Sequence, residues 1–163
     1  MRKFTIIAAA CAALSTATAA QAGNIVEVAK GAGTFGTLLA AAQAAGLAGA
    51  LAEGKNLTVF APTDDAFDAL PAGTVENLLK PENKDQLVAV LTYHVLPREL
   101  ASSMLPSRTI HVKTIKTGGD RTLAVTKSRD GSVTVDGANV VAADIAADNG
   151  IIHVIDKVML PSN

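Results

Sequence analysis

Cysteine, tryptophan and clustered charge are what this chain has least of. Its 163 residues include one cysteine, no tryptophan, one tyrosine and four phenylalanines. The lone Cys11 sits in an N-terminal apolar stretch. The remainder therefore has no thiol, which excludes disulfide frameworks, cysteine nucleophiles and thiolate metal sites there. So few rings leave little for stacking on nucleic-acid bases. The 14 basic and 15 acidic residues are dispersed, whereas phosphate backbones call for a basic stripe. A nucleic-acid partner is not expected. The longest apolar run, Phe4 to Leu14, covers about 11 residues where a membrane helix needs about 20, so no span is expected. Gly31-Ala32-Gly33 lacks the lysine and hydroxyl residue of a phosphate loop. None of Ser102, Ser103, Ser107, Ser128 or Ser132 sits in a Gly-x-Ser-x-Gly elbow. His94, His111 and His153 show no short ligand pairing, and neither a metal nor a cofactor is expected.

What is present begins with an export signature. Arg2 and Lys3 precede the apolar run, and Ala20-Gln21-Ala22 offers a small-x-small cleavage site. The expectation is a signal peptide over 1–22, cut between Ala22 and Gly23, and a secreted or periplasmic domain over 23–163. Cleavage before Cys11, as in a lipoprotein, fits less well, because Ala8-Ala9-Ala10 lacks the larger aliphatic. Losing Arg2 and Lys3 leaves 12 basic against 15 acidic residues, a net charge of −3. The 141 residues that remain suffice for one domain without disulfide or metal staples.

Along that domain the period of the apolar residues changes. Ile25 to Ala29 reads as a short helix that Gly31 and Gly33 end, and Phe35, Leu38, Leu39, Ala42 and Ala45 trace a second helical face up to Gly46. The many alanines here imply close packing of helices on a sheet. Leu57 to Ala61 reads as a buried strand. Thr63 suits a helix N-cap, with Asp64 and Asp65 in the first turn, and Thr74 suits a second cap. A longer helix carries Leu87, Val88, Val90, Leu91 and Val95. Beyond Pro97 alternation takes over. Thr109 to Lys116, Leu123 to Val125, Val133 to Val135, Ala138 to Ile145 and Ile151 to Met159 read as strands. Ser128 to Gly131, Asp136-Gly137 and Asp148-Asn149-Gly150 mark turns. Helices mainly in the N-terminal half and strands in the C-terminal half make an α+β class with segregated layers.

Three segments stand out: Thr58 to Phe67 (TVFAPTDDAF), Tyr93-His94-Val95-Leu96-Pro97, and Asn149 to Pro161 (NGIIHVIDKVMLP). The folding reading of the first is a strand, a turn at Pro62 and a capped helix. In the second, one ring packs in the core and the other bonds backbone near a helix end, where a charged His94 would suit the dipole. In the third, Ile152 and Val154 face one way and Ile151, His153 and Ile155 the other, as in a strand buried on both sides. In order and spacing the three segments resemble the motifs of the fasciclin domain, an extracellular module associated with adhesion and matrix binding. The resemblance covers almost the whole of 23–163. It implies a β-sheet wedge with helices packed along one side, in a single exported bacterial domain. It also implies structural roles for Thr58, Phe60, Pro62, Thr63, Phe67, Asn149, Gly150 and His153. Partner contact is implied at Tyr93, His94, Leu96, Pro97 and Asp156.

The expected function is a non-enzymatic adhesion or surface-binding module. Its partner would be a cell-surface protein or an extracellular polysaccharide. A lone domain bridges two surfaces only through two faces or by weak self-association. A periplasmic carrier or sensor of haem, a metal or a lipid is the alternative. A hydrolase using Asp64 or Asp65 with a histidine is the third reading.

Overall fold

A computed structural model describes residues 23–119 and 121–161. The expected signal segment 1–22, with Cys11 and Ala22, lies outside the described residues. The first helix, α1 (Ile25–Ala32), starts from a capping box. The Asn24 side chain accepts the Glu27 amide, and the Glu27 carboxylate takes the Asn24 amide. Left-handed Gly33 ends it, so Gly31, expected to share that role, lies inside the helix. Helix α2 (Gly36–Ala45) stops at left-handed Gly46, and α3 (Ala48–Glu53) follows with no buried residue.

Strand β1 (Leu57–Pro62) runs into α4 (Asp64–Asp68), whose cap is Thr63, accepting the Ala66 amide at 3.3 Å as expected. Helix α5 (Thr74–Leu79) departs from expectation: Thr74 is its first residue. Gly73, at φ 83°, takes the cap position with no side-chain bond, because its left-handed turn delivers Thr74 already in helical backbone. After a 3-10 turn at Pro81–Asn83, α6 (Lys84–Tyr93) leads directly into β2 (Val95–Leu96), so Val95 belongs to the sheet rather than the helix.

The strand-rich half supplies β3 (Thr109–Lys113), β4 (Thr122–Lys127), β5 (Val133–Val135), β6 (Ala138–Ala147) and β7 (Gly150–Ile155). The order across the sheet is β2-β1-β7-β6-β5-β4-β3. β1 and β7 pair in parallel, Thr58 opposite Ile151 and Pro62 opposite Ile155, while the remaining pairs are antiparallel. Beyond β3 the Ile115 amide donates to the Val95 carbonyl at 3.0 Å, so the two ends of the sheet meet and it nearly closes on itself. The last strand stops at Ile155, short of the expected Met159, because Asp156 turns to bond Asn139.

Closure gives the sheet two cores. Val59 and Ala61 of β1 and Ile152 and Val154 of β7 pack beneath α1, α2 and α6. Phe60 and Ile155 point the other way, into a second cluster with Tyr93, Leu96, Val112, Leu123 and Val135. β7 is thus buried on both faces, as its near-continuous apolarity requires. The fold is a single mixed domain, helices first and a nearly closed sheet after.

Candidate functional site

Strand β1 carries a wholly buried threonine among apolar neighbours. The Thr58 hydroxyl accepts the Leu100 amide and donates to the Arg98 carbonyl, both at 2.8 Å. One strand over, buried His153 has Nε2 2.7 Å from the Leu100 carbonyl, while its Nδ1 accepts the Asp144 amide at 3.2 Å. These partners put the ring hydrogen on Nε2. The imidazole stacks on Phe60 with centroids 5.5 Å apart and planes at 24°. Two buried polar side chains therefore hold the backbone of one loop, and that loop presents Pro97, Arg98 and Glu99 to solvent.

The preceding residues lie underneath it. Tyr93, His94 and Leu96 are buried, Leu96 completely. The Tyr93 hydroxyl reaches the Thr122 carbonyl at 3.2 Å and the Asp136 carboxylate at 3.3 Å, tying α6 to the β4 and β5 region. Lys116 Nζ stands 5.8 Å from the centre of the Tyr93 ring. His94 Nδ1 donates to the Val90 carbonyl at 2.7 Å, and Nε2 accepts the Met159 amide at 3.0 Å. A second ring proton would confront the Met159 N–H. Burial holds the His94 pKa down at about 4, only partly offset by the Val90 bond. The charged histidine that the helix dipole would favour is therefore absent near neutral pH; desolvation outweighs the dipole.

The flanking motifs resolve into joints. Asn149 Oδ1 accepts the Ile25 amide at 2.8 Å, and its Nδ2 donates to the carbonyls of Leu51, Ala52 and Gly54 at 2.7, 3.2 and 2.9 Å. One side chain thus serves the start of α1 and the end of α3. Gly150 lies against the backbone of Leu57, and a Cβ there would overlap the Leu57 carbonyl. Pro62 ends β1, and Phe67 packs in the helix-side core. Asp156 accepts the Asn139 amide at 2.8 Å and its side-chain amide at 2.9 Å, bonds that keep its pKa below the ordinary carboxylate value. It sits past the Pro62 end of β1, whereas Pro97 adjoins the Thr58 end. Four residue steps of strand, roughly 13 Å, separate those ends. Pro97 and Asp156 do not converge on one spot.

Two contacts had no local signature. Asp64 accepts the amides of Thr37 at 2.8 Å and Gly36 at 3.2 Å, and so caps α2 from the first turn of α4. The Thr37 bond is the main reason its pKa is lowered. Asp144, at φ 58°, accepts both the hydroxyl and the amide of Ser102. Burial, the largest single influence, would raise its pKa, but those two bonds together with the nearby charge of Lys127 outweigh it. Serine, aspartate and histidine meet here in an order useless for acyl transfer: Ser102 bonds the carboxylate, and His153 bonds only backbone. Among the described residues no three His, Cys, Asp or Glu side chains stand close enough to share a metal ion.

A cavity of about 130 Å³, partly open to solvent, lies between α1, α2, α3 and the β1–β7 face, with Ile25, Ala29, Leu38, Ala42, Val59 and Ile152 among its walls. Ala29, Ala41, Ala42 and Ala45 are buried against the sheet as expected, and Ala29 and Ala42 also leave room for this space.

The fasciclin domain description matches residues 33–161. Protein sll1483 of Synechocystis sp. is 51% identical over 151 residues, 92% of this chain and 80% of its own length. Transforming growth factor-beta-induced protein ig-h3 of Sus scrofa is 40% identical over 139 residues, 85% of this chain but 19% of that protein. Immunogenic protein MPB70 of Mycobacterium bovis is 33% identical over 104 residues, 64% of this chain and 49% of its own. No helix among the described residues is long and apolar enough to cross a membrane. With the matched segment spanning nearly all of the described fold, the chain belongs to the fasciclin domain family.

Proposed function

We propose that this chain is an exported, non-enzymatic adhesion domain that meets a cell-surface protein or an extracellular polysaccharide through the loop Pro97–Glu99. The observation that carries the reading is the commitment of two buried polar side chains, Thr58 and His153, to the backbone of that one exposed loop. A buried hydroxyl or imidazole is costly unless bonded, and here the bonds fix a surface element carrying adjacent charges of opposite sign. Membership of the fasciclin family supports the adhesive character. In this reading Tyr93, His94 and Leu96 act from beneath, holding the helix end and the strand from which the loop springs. Asp156 secures a separate turn. Export rests on the signal-like segment 1–22 and its cleavage between Ala22 and Gly23.

The test is binding of the purified protein to the producer's own cells and to its extracellular polymer. A double variant, Arg98→Ala with Glu99→Ala, runs alongside. Saturable, competable binding that falls at least about tenfold in the double variant, with an unchanged unfolding midpoint, is the expected result; that fall corresponds to about 1.4 kcal/mol. Equal binding by both proteins would move the contact elsewhere on the surface. No binding by a folded wild type would overturn the adhesive reading itself.

A further inference from the structure

We infer that the cavity beneath α1, α2 and α3 is a binding site for the end of a neutral hydrocarbon chain, acyl or isoprenoid. Its walls are almost wholly apolar, and the two polar side chains that border it have no hydrogen to offer. The Thr92 hydroxyl donates to the Val88 carbonyl at 2.6 Å. His94 spends its single ring hydrogen on Val90, and its other nitrogen on the Met159 amide. A carboxylate or phosphate drawn inside would lose its water and find no donor. Water itself needs two to four polar partners to occupy a buried space, and this one does not supply them. An engineered apolar cavity of roughly 150 Å³ takes up benzene, so about 130 Å³ holds a body of nearly that size. The guest is therefore the terminal stretch of a chain whose polar end stays outside.

The way in lies between α1 and α3, where Val26 is half-buried and Ala50 exposed. Helix α3 packs only the half-buried Leu51 on the core, and its C-terminal carbonyls are held by Asn149, the residue that also fixes the start of α1. The motif asparagine thus sets the spacing of both walls of the entrance. Ala29 and Ala42 stand where any larger aliphatic would fill the space.

Benzene is the first probe, followed by palmitate and farnesol to separate acyl from isoprenoid chains. At about 100 times its dissociation constant, benzene should raise the Tm of the full protein by several degrees. Ala42→Leu and Ala29→Leu, each checked for folding, should abolish that rise. Two results would sink the proposal: no shift with benzene in the wild type, or a shift that survives in both filled variants. Benzene binding without either chain would overturn the assignment to a hydrocarbon tail. Cell binding is read separately, so failure of the adhesive reading leaves this result intact.

Discussion

His94 makes the pH dependence of this fold predictable. Unfolded, the imidazole takes a proton near 6.5; folded, burial lowers that to about 4. Between those values the unfolded chain binds more protons, so stability falls as the pH falls through that window and is fully present above 6.5. The difference corresponds to about 3 kcal/mol. Asp64, Asp130, Asp144 and Asp156 also have lowered pKa values, but their contribution is lost only as the pH drops below the usual 3.8. Denaturant titrations at pH 7.5 and 4.5 should therefore isolate the histidine, and His94→Gln should flatten the slope. An unchanged slope in that variant would show that another group titrates in its place.

At the scale of elements, the helices of the first half depend on residues outside themselves. Phe35 occupies the N-cap of α2 and offers no side-chain bond; the carboxylate of Asp64 serves instead. Asp64→Ala should cost about 1 kcal/mol, the usual value of a lost cap, read as a lower denaturant midpoint with unchanged m. Asp65→Ala, on an exposed neighbour, should cost much less. Helix stops at Gly33 and Gly46, the Thr63 cap, the hairpin at Gly131 and the two-sided burial of β7 were legible in the sequence, because each rests on residues within a turn or two. The Asp64 cap was not, since it spans 27 residues, nor were the bonds of Asn149, which span 124 and 98. Those exist only once the sheet has brought its two parallel strands together. The site divides the same way. The resemblance implied contact at both Leu96 and Pro97, but Pro97 is exposed and Leu96 wholly buried, a division that follows from closure of the sheet. The alanines pointed to close packing by composition, and only the folded helices reveal a space.

For the whole molecule, Asn149 is the joint on which two helices and two strands turn. Asn149→Asp keeps the acceptor for Ile25 but sets a charge against three carbonyls. It should destabilise the domain by roughly 3 kcal/mol, well above an ordinary surface change. Amide exchange should show protection lost first in α1 and α3; uniform loss over the sheet would mean the joint is not local. The near-closure at Ile115 and Val95 bears on how copies of the chain coexist in solution. With its two outer strands facing one another, the sheet leaves its longest open stretch along β6, where pairing with β5 is confined to Ala138 and Asn139. That stretch, Val-Val-Ala-Ala-Asp-Ile-Ala-Ala, has no proline and a single charge to blunt an open edge. Asp144 interrupts it with a charge, a left-handed backbone and shifted register against β7. The bulge interrupts the run of in-plane amides along that edge, so a variant that straightens it, Asp144→Val, should associate at lower concentration than the wild type, as light scattering would show.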